Sequence, residues 1–306
     1  MELLNTRMFQ YNNNKTSGLA KYMDVILLNK THIIYNKPLE EANTIFINTR
    51  YRNLLINKFI DTILPKISKP ITLIIAGEDY TFPNNTDMRM KIRNNRLTAY
   101  KNLGKHKMIH KVFVENLDED LYNTEAIPLG INPRHCNTDL NYYVKYENIN
   151  NKKPLLITNF NKSRNGKNQW SERNYVLMLC NTHWKKNCVN NTLIKNYAKY
   201  LKTFASYKFT ICVHGGGLDV NPKLWEALLL GVIPIIRENK PYTDIYIKHD
   251  LPVVIVKQWN KHTITRKKLV YWHKLYYHYF TDKTKRTKML NTLLLEYWVK
   301  YVSTIN

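Results

Sequence analysis

The fold is decided by the segment Phe209-Thr-Ile-Cys-Val-His-Gly-Gly-Gly-Leu-Asp-Val-Asn-Pro-Lys-Leu-Trp-Glu-Ala-Leu-Leu-Leu-Gly-Val-Ile-Pro-Ile-Ile236. Its mostly apolar start predicts a β-strand, and the three glycines that follow predict a sharp loop. Asn221 and Pro222 suit the N-cap and the first position of a helix, which Gly231 ends before a second buried strand. Strand, glycine loop, helix and strand in this order commonly form an anion site, usually for a phosphate.

One carboxylate interrupts the apolar helix of this segment. Glu226 lies within Leu224-Trp-Glu-Ala-Leu-Leu-Leu230, where a buried charge is costly unless it is hydrogen-bonded. Two interpretations stay open. In the first, Glu226 points to solvent or only complements the positive end of the helix. In the second, it accepts hydrogen bonds from ligand hydroxyls such as those of a ribose.

These residues also carry a resemblance. The string from His214 to Ile236 resembles the nucleotide-sugar half of the exostosin-related glycosyltransferases, and Leu251-Pro-Val-Val-Ile-Val-Lys-Gln-Trp259 is similar to that family too. The string Gly231-Val-Ile-Pro234 and the string Tyr207-Lys-Phe209 are also similar to the α-1,3-fucosyltransferases, so the identity of the donor sugar stays open. The resemblance covers residues 205–260 and is patchy elsewhere. It implies a sugar transferase that uses a nucleotide diphosphate sugar.

Composition sets limits on the class of protein. The chain has 306 residues, enough for two domains, and its 44% hydrophobic content predicts a folded globule. No apolar run approaches the roughly 20 residues of a membrane span, and the start lacks a signal peptide's apolar stretch. We therefore expect a soluble, cytoplasmic protein without a transmembrane segment.

The formal charge of +24 raises the question of nucleic-acid binding. The basic residues are spread along the whole chain, and the sequence shows no helix-turn-helix, zinc finger or RNA-binding motif. A basic cleft would also suit a nucleotide diphosphate. Nucleic acid is therefore not the expected partner.

The sequence predicts no metal site. Cys136, Cys180, Cys188 and Cys212 are expected to be reduced thiols, and Cys180-Asn-Thr-His183 with Cys188 lacks a fourth ligand at suitable spacing. The nearest element to the Asp-x-Asp motif of metal-dependent glycosyltransferases is Asp118-Glu-Asp120, which is expected on a surface turn. We expect no metal and no cofactor apart from the nucleotide diphosphate sugar as co-substrate.

Strands and helices alternate along both halves of the chain, which predicts parallel sheets covered by helices. The predicted fold is α/β, with two Rossmann-like domains facing a cleft, the GT-B architecture that the resemblance also implies. The predicted parts are an N-terminal acceptor domain (1–140), a polar linker (141–153), a C-terminal nucleotide-sugar domain (154–275) and a C-terminal helix (276–306) that packs back on the first domain.

The donor-binding residues are expected on this C-terminal half. The glycine amides would bind the diphosphate, Lys223 would face it despite the unfavourable helix dipole, and His214 would bond its phosphate or sugar. The resemblance adds Arg173, which matches the family's arginine near the start of the second domain, whereas Lys223 replaces a common Arg. Ordinary structural roles are the alternative throughout. The full set is Arg173, His214, Gly215, Gly216, Gly217, Lys223 and Glu226, with Arg164 and Lys167 as weaker candidates.

The catalytic base is expected in the N-terminal half. Gly77-Glu-Asp-Tyr-Thr-Phe82 resembles the family's Gly-x-Asp-His-Phe segment, with Tyr80 in place of the His. Inverting transfer needs a base that deprotonates the acceptor hydroxyl. Glu78 and Asp79 are the candidates, and a turn or N-cap role is the alternative for Asp79.

The sequence thus predicts a metal-independent, inverting glycosyltransferase that acts on a glycan, a glycoprotein or another hydroxyl acceptor. A UDP-sugar is the favoured donor and a GDP-sugar the alternative. Two other classes stay open, namely a non-catalytic relative that binds sugar or nucleotide, and a basic nucleic-acid-binding protein.

Overall fold

The computed structural model describes residues 1–6, 16–51, 53–86, 94–131, 138–149, 152–153, 156–161, 171–219 and 221–304. They form an α/β protein with two sheets of mainly parallel strands, which confirms the predicted α/β class. The chain divides into two compact units. The N-terminal unit comprises Leu4–Cys136, Gly216–Asp219 and Leu295–Asn306, and the C-terminal unit comprises Met1–Leu3, Asn137–Gly215 and Val220–Leu294.

The strands are three to six residues long. In the N-terminal unit they are β1 (Val25–Leu27), β2 (Ile33–Tyr35), β3 (Thr44–Asn48), β4 (Ile71–Ala76), β5 (Ile109–Val114) and β6 (Thr124–Ala126). In the C-terminal unit they are β7 (Ile157–Asn159), β8 (Cys188–Asn190), β9 (Phe209–Ile211), β10 (Ile233–Arg237) and β11 (Val254–Val256).

The helices lie mostly between these strands. They are α1 (Asn53–Lys58), α2 (Asn94–Lys101), α3 (Leu140–Val144), α4 (Ser171–Asn181), α5 (Tyr197–Ala205), α6 (Lys223–Leu229), α7 (Lys240–Lys248), α8 (Arg266–Tyr276), α9 (His278–Thr281), α10 (Lys283–Thr292) and α11 (Leu295–Ser303). Within the described ranges, no helix is both long and apolar enough to cross a membrane.

The sheet of the N-terminal unit has the order β2-β1-β3-β4-β5-β6. Only the β1–β2 pair is antiparallel, and β3 and β4 are buried along their whole length, as expected of parallel strands covered on both faces. From β1 onward the parallel strands follow chain order without a reversal. Among the described strands this sheet therefore departs from the doubly wound order expected of a Rossmann-like half.

The sheet of the C-terminal unit is entirely parallel and has the order β11-β10-β9-β7-β8. Helix α4 leads from β7 outward to β8, and α5 leads back to β9 on the other side of β7. The chain therefore reverses its direction across the sheet between β7 and β9. This is the doubly wound order of the flavodoxin type, which bears out the prediction for this half.

Residues 138–149 lie largely in the stretch predicted as a linker, and they belong to the C-terminal unit. Asp139 caps α3 by accepting a 3.0 Å hydrogen bond from the Asn141 amide. Leu140 and Tyr143 are buried. A helix of five residues is too short to show a periodicity in the sequence, so its capping and burial emerge only in the structure.

Helix α6 is the most enclosed helix of the C-terminal unit, with six of its seven residues buried. A helix that is apolar nearly all round belongs in a core. Its last carbonyls are satisfied by Arg286 of α10, which donates 2.6 Å hydrogen bonds to the carbonyl oxygens of Leu228 and Leu229 and pairs with Glu147. A cation is favourable at this end of a helix.

A second cation lies beside this pair. Lys152 donates hydrogen bonds of 2.8 Å and 3.2 Å to the carbonyl oxygens of Ala205 and Leu230, at the ends of α5 and α6. Burial lowers the pKa of Lys152 to about 7, against the opposing charge of Glu147 and with support from the positive charge of Arg286. Lys152 therefore loses its proton near neutral pH in the folded protein.

We expect the unfolding free energy to rise with pH through this lysine. Between about pH 7 and pH 10 the unfolded chain keeps the proton that folded Lys152 has lost, so stability rises by up to about 1.4 kcal/mol per pH unit. Below the folded pKa both states are protonated and the effect is constant. Urea unfolding of the native chain and of Lys152→Met at about pH 7 and pH 9 measures this pH dependence. Between these two pH values, the unfolding free energy of the native chain should rise by about 1 to 2 kcal/mol more than that of the variant. Lys202→Met, at an exposed lysine of α5, is the control. Equal pH slopes in the native chain and Lys152→Met would contradict the prediction.

Candidate functional site

The site lies at the carboxyl ends of β7 and β9, where the C-terminal sheet reverses direction. Helices that leave two neighbouring strands toward opposite faces open a crevice at such a switch point, and ligands of open α/β sheets bind there. Asn161, just beyond β7, is fully buried and donates a 2.9 Å hydrogen bond to the carbonyl oxygen of Ile211 in β9. This bond fixes the spacing of the two strands at the mouth of the crevice.

Arg173 lies in the first turn of α4 and is buried. Its Nε donates a 3.1 Å hydrogen bond to the carbonyl oxygen of His214, which follows β9. The next residue is Gly215, and a Cβ at that position would lie 3.1 Å from Nη2 of Arg173. Of the predicted donor residues, Arg173, His214 and Gly215 are thus brought together.

Glu172 connects the charged groups of the site. Its carboxylate accepts two 3.0 Å hydrogen bonds from Arg237, one from His214 Nε2 and one of 2.5 Å from Trp259 Nε1. Burial raises the pKa of Glu172, but hydrogen bonds from His214 and Arg237 and their charges outweigh burial and lower it to about 2. Glu172 is therefore ionised at neutral pH and holds both side chains in place.

His214 is oriented by this carboxylate. A carboxylate only accepts hydrogen bonds, so Nε2 carries a proton. The other ring nitrogen, Nδ1, is buried, and no described residue hydrogen-bonds it. A buried polar atom of this kind is costly unless a ligand or water satisfies it, which makes Nδ1 a candidate contact for a ligand.

Lys223 begins α6 on the other side of the crevice. Its Nζ donates hydrogen bonds of 3.1 Å to Asn221 Oδ1 and 3.2 Å to Asn161 Oδ1. Asn221 Oδ1 also accepts a 3.0 Å bond from the Lys223 amide, and Asn221 Nδ2 donates to the carbonyl oxygen of Val213. The helix starts one residue later than predicted, with Pro222 at the N-cap position, but the Asn221 side chain still satisfies a first-turn amide.

The Glu226 carboxylate is buried, so the interpretation that it points to solvent is wrong. Tyr197 donates a 3.0 Å hydrogen bond to Oε1, and Tyr200 donates to Oε2. The Tyr197 hydroxyl is also 2.7 Å from that of Tyr143. Tyrosines from α3 and α5 therefore orient the carboxylate, and the predicted contact with a ribose stays a prediction.

The three glycines are divided between the units. Gly215 belongs to the C-terminal unit, whereas residues 216–219 belong to the N-terminal unit. There the amides of Leu218 and Asp219 donate hydrogen bonds of 2.8 Å and 3.1 Å to Asn116 Oδ1. A Cβ at Gly217 would overlap the Asn116 side chain. Gly217 is therefore required by packing, and the proposed contacts of all three glycines with a diphosphate stay predictions.

The two outer glycines should respond differently to alanine. Gly217→Ala forces a Cβ into the hydrogen-bonded Asn116 and should cost about 1 to 3 kcal/mol of unfolding free energy. Gly215→Ala meets the movable end of Arg173 and should change stability by less than about 0.5 kcal/mol. Urea unfolding of both variants measures the difference. Equal losses in the two would show that the Asn116 contact does not fix the loop.

The predicted base candidates lie in the N-terminal unit, just beyond β4. Gly77 has a φ of 122°, and its amide donates a 2.8 Å hydrogen bond to the buried Glu115. Glu78 forms an ion pair with Arg50 at 3.7 Å and is partly exposed, like Asp79. Both carboxylates thus lie at the carboxyl end of a central strand, and their catalytic role stays a prediction.

The remaining candidates form no site that the structure describes. Arg164, Lys167 and Cys136 lie outside the described residues. The Sγ atoms of Cys180 and Cys188 are 2.9 Å apart, and both are free thiols. Within the described ranges, no group of three or more His, Cys, Asp or Glu side chains could hold a metal ion.

The charged cluster of the site contains three residues that were not predicted, namely Glu172, Arg237 and Trp259. Each has a signal that sequence alone offers. Glu172 is adjacent to Arg173, Arg237 is the one charged residue of the strand β10, and Trp259 ends the second segment that resembles the family. Arg237 and Trp259 reach the Glu172 carboxylate because of the order of the strands, and the local sequence does not contain that order.

Comparisons with known proteins leave the family open. The sequence matches no protein-family model and no curated protein. It is similar to a solved structure described as the crystal structure of a GtfA/B complex, at 8% sequence identity and a TM-score of 0.37. The match covers 90% of this chain and 62% of that chain, so this chain spans less than two thirds of its length. A likeness at this level carries no argument about function.

Proposed function

We propose that this chain is a glycosyltransferase of GT-B architecture, related to the exostosin family, which transfers a sugar from a nucleotide diphosphate sugar to a glycan or another hydroxyl acceptor. One observation carries the proposal. Arg173, Lys223 and His214 converge at the carboxyl ends of β7 and β9, the position at which open α/β sheets bind their ligands.

The cations suit a diphosphate. The buried guanidinium of Arg173 offers planar donors to phosphate oxygens, and Lys223 adds a point charge. Both would stabilise the negative charge that develops on the leaving diphosphate, in the role that a divalent metal fills elsewhere. The Gly-x-Gly-x-x-Gly spacing typical of dinucleotide-binding dehydrogenases is not met around Gly215.

The carboxylate of Glu226 suits the ribose. A carboxylate accepts several hydrogen bonds, and Tyr197 and Tyr200 hold this one in a fixed orientation. In the proposal, the two ribose hydroxyls donate to the same carboxylate. A UDP-sugar is the favoured donor and a GDP-sugar the alternative.

The proposed reaction inverts the anomeric centre. An acceptor hydroxyl forms the new bond to the anomeric carbon while the bond from that carbon to the diphosphate oxygen breaks. The hydroxyl proton goes to a carboxylate, for which Glu78 and Asp79 are the candidates. The leaving diphosphate takes the bonding electron pair and is stabilised by Arg173 and Lys223.

A thermal-shift series with UDP, GDP and their sugars tests the proposal. A nucleotide at a hundredfold excess over its dissociation constant stabilises the protein by about 2.7 kcal/mol. Arg173→Ala should weaken nucleotide binding about 10- to 100-fold, because a charge-assisted hydrogen bond is lost, whereas Arg266→Ala on the exposed surface of the same unit should not.

The outcomes separate the three classes of function. Stabilisation without transfer or hydrolysis of any sugar nucleotide would indicate a non-catalytic binding protein. No response to any nucleotide, with strong and salt-dependent binding to DNA, would favour the nucleic-acid-binding alternative. Transfer that persists in a chelating buffer would support the metal-independent mechanism.

A further inference from the structure

Helix α8 lies on the surface of the C-terminal unit with little cover. Of its eleven residues, all described, only Leu269 is buried. The helix is about 16 Å long. Its exposed residues are Arg266, Lys267, Lys268, Val270, Tyr271, Lys274 and Leu275, which we call the α8 face.

The α8 face contains three large apolar side chains. Val270, Tyr271 and Leu275 are 51%, 61% and 42% exposed. Lys267, Val270, Tyr271 and Lys274 follow the i, i+3, i+4, i+7 spacing of one helical face. Single exposed apolar residues are ordinary, but here Lys267 and Lys274 lie between Val270 and Tyr271 on the exposed side. Apolar side chains interspersed with cations suit an anionic membrane interface.

The charge of this face is of one sign. Helix α8 contains no Asp or Glu, and the chain as a whole carries a formal charge of +24. Lys268 donates a 2.9 Å hydrogen bond to the carbonyl oxygen of His262, which ties the start of the helix to the loop before it. The α8 face is therefore complementary to an anionic surface.

We propose that the α8 face binds the surface of an anionic lipid bilayer. Lysines 267 and 274 contact lipid headgroups, and Val270, Tyr271 and Leu275 enter the boundary between headgroups and acyl chains. Nucleic acid fits this face less well, because a phosphate backbone offers the exposed apolar side chains no place to be buried. The partly buried Trp272 and Tyr276 border the face, and such rings favour the interface.

Vesicle sedimentation tests the apolar part. The full chain should bind vesicles with about 30% phosphatidylserine and bind pure phosphatidylcholine weakly. The triple variant Val270→Ser/Tyr271→Ser/Leu275→Ser should lose at least about 10-fold in partitioning, because apolar burial is lost. Leu193→Ser, at an 89% exposed leucine elsewhere, should bind like the native chain. Circular dichroism melting checks that each variant stays folded.

A second pair of variants tests the cations. Lys267→Gln/Lys274→Gln should reduce partitioning roughly 20- to 30-fold, given the usual contribution of each lysine near an anionic surface. Lys185→Gln/Lys186→Gln removes two exposed lysines from another part of the same unit and should reduce partitioning onto vesicles far less. This control separates the α8 face from the general positive charge of the chain.

Three results with vesicles would overturn the proposal. They are vesicle binding that the triple serine variant retains, equal losses in the two lysine pairs, and failure of the native chain to bind phosphatidylserine vesicles at low salt. Binding to single-stranded RNA that depends on Lys267 and Lys274, without vesicle binding, would also overturn it and would assign the face to nucleic acid.

Discussion

Replacing Glu172 with alanine should lower the unfolding free energy by about 3 to 5 kcal/mol, because it leaves a partly buried charge cluster without its common partner. The carboxylate accepts hydrogen bonds from Arg237, His214 and Trp259. Without it, Arg237 and His214 face each other at 3.2 Å with no negative charge between them. Glu172→Gln keeps the volume of the side chain and removes only the charge. Its unfolding free energy should therefore fall by less than that of Glu172→Ala.

Urea unfolding at about pH 7 measures this effect, and a pH series identifies its cause. The folded pKa of Glu172 is depressed to about 2, so its contribution is present above the unfolded value of about 4.3 and is lost as pH falls toward 2. The native chain should therefore lose more stability than Glu172→Gln between about pH 5 and pH 2. Glu238→Ala, at the exposed residue beside Arg237, is the matched control. A loss as large in this control would exclude a specific role for the cluster.

Arg286→Met should be comparably severe, at about 3 to 5 kcal/mol, because it breaks a buried ion pair from one side. The methionine fills the space but cannot donate to the carbonyl oxygens of Leu228 and Leu229. It also leaves Glu147, whose pKa is already raised by burial, without its guanidinium partner. The C-terminal end of α6 would lose its cap, and the candidate site lies at the other end of the same helix.

A double-mutant cycle separates the loss of the helix cap from the effect of leaving the Glu147 carboxylate without its partner. Glu147→Gln combined with Arg286→Met removes the orphaned charge, so the double variant should be more stable than Arg286→Met alone, by about 1 to 3 kcal/mol. Lys283→Met, at an exposed position of the same helix, should be close to neutral. If the double variant is as unstable as the sum of the singles, the ion pair does not connect the two residues.

The residues around the opening segment show how far sequence reasoning reaches. Strand β9, helix α6 and the helix end at Gly231, with a φ of 69°, were predicted because apolar pattern, cap residues and glycine are local signals. The partners of Glu226 were not, because Tyr197 and Tyr200 come from another helix. Whether a carboxylate in an apolar helix faces solvent, ligand or tyrosine depends on tertiary packing.

The two sheets make the same point at a larger scale. The alternation of strands and helices predicted the α/β class correctly, but no local pattern states which strands become neighbours. The reversal between β7 and β9 creates the crevice, and it is a property of long-range pairing. The sequence could therefore propose His214 as a single residue, whereas Glu172 joins His214 to Arg237 only because β9 and β10 lie side by side.

The four residues Gly216 to Asp219 have a consequence for how this chain can be produced. They belong to the N-terminal unit, where Asp219 accepts a 2.6 Å hydrogen bond from the Leu129 amide. Helix α11 belongs to that unit as well. Neither unit is a continuous stretch of polypeptide, so no single cut in the gene yields either one intact. During synthesis, the N-terminal unit is complete only after α11 has been made, so the two units are not finished one after the other in the order of translation.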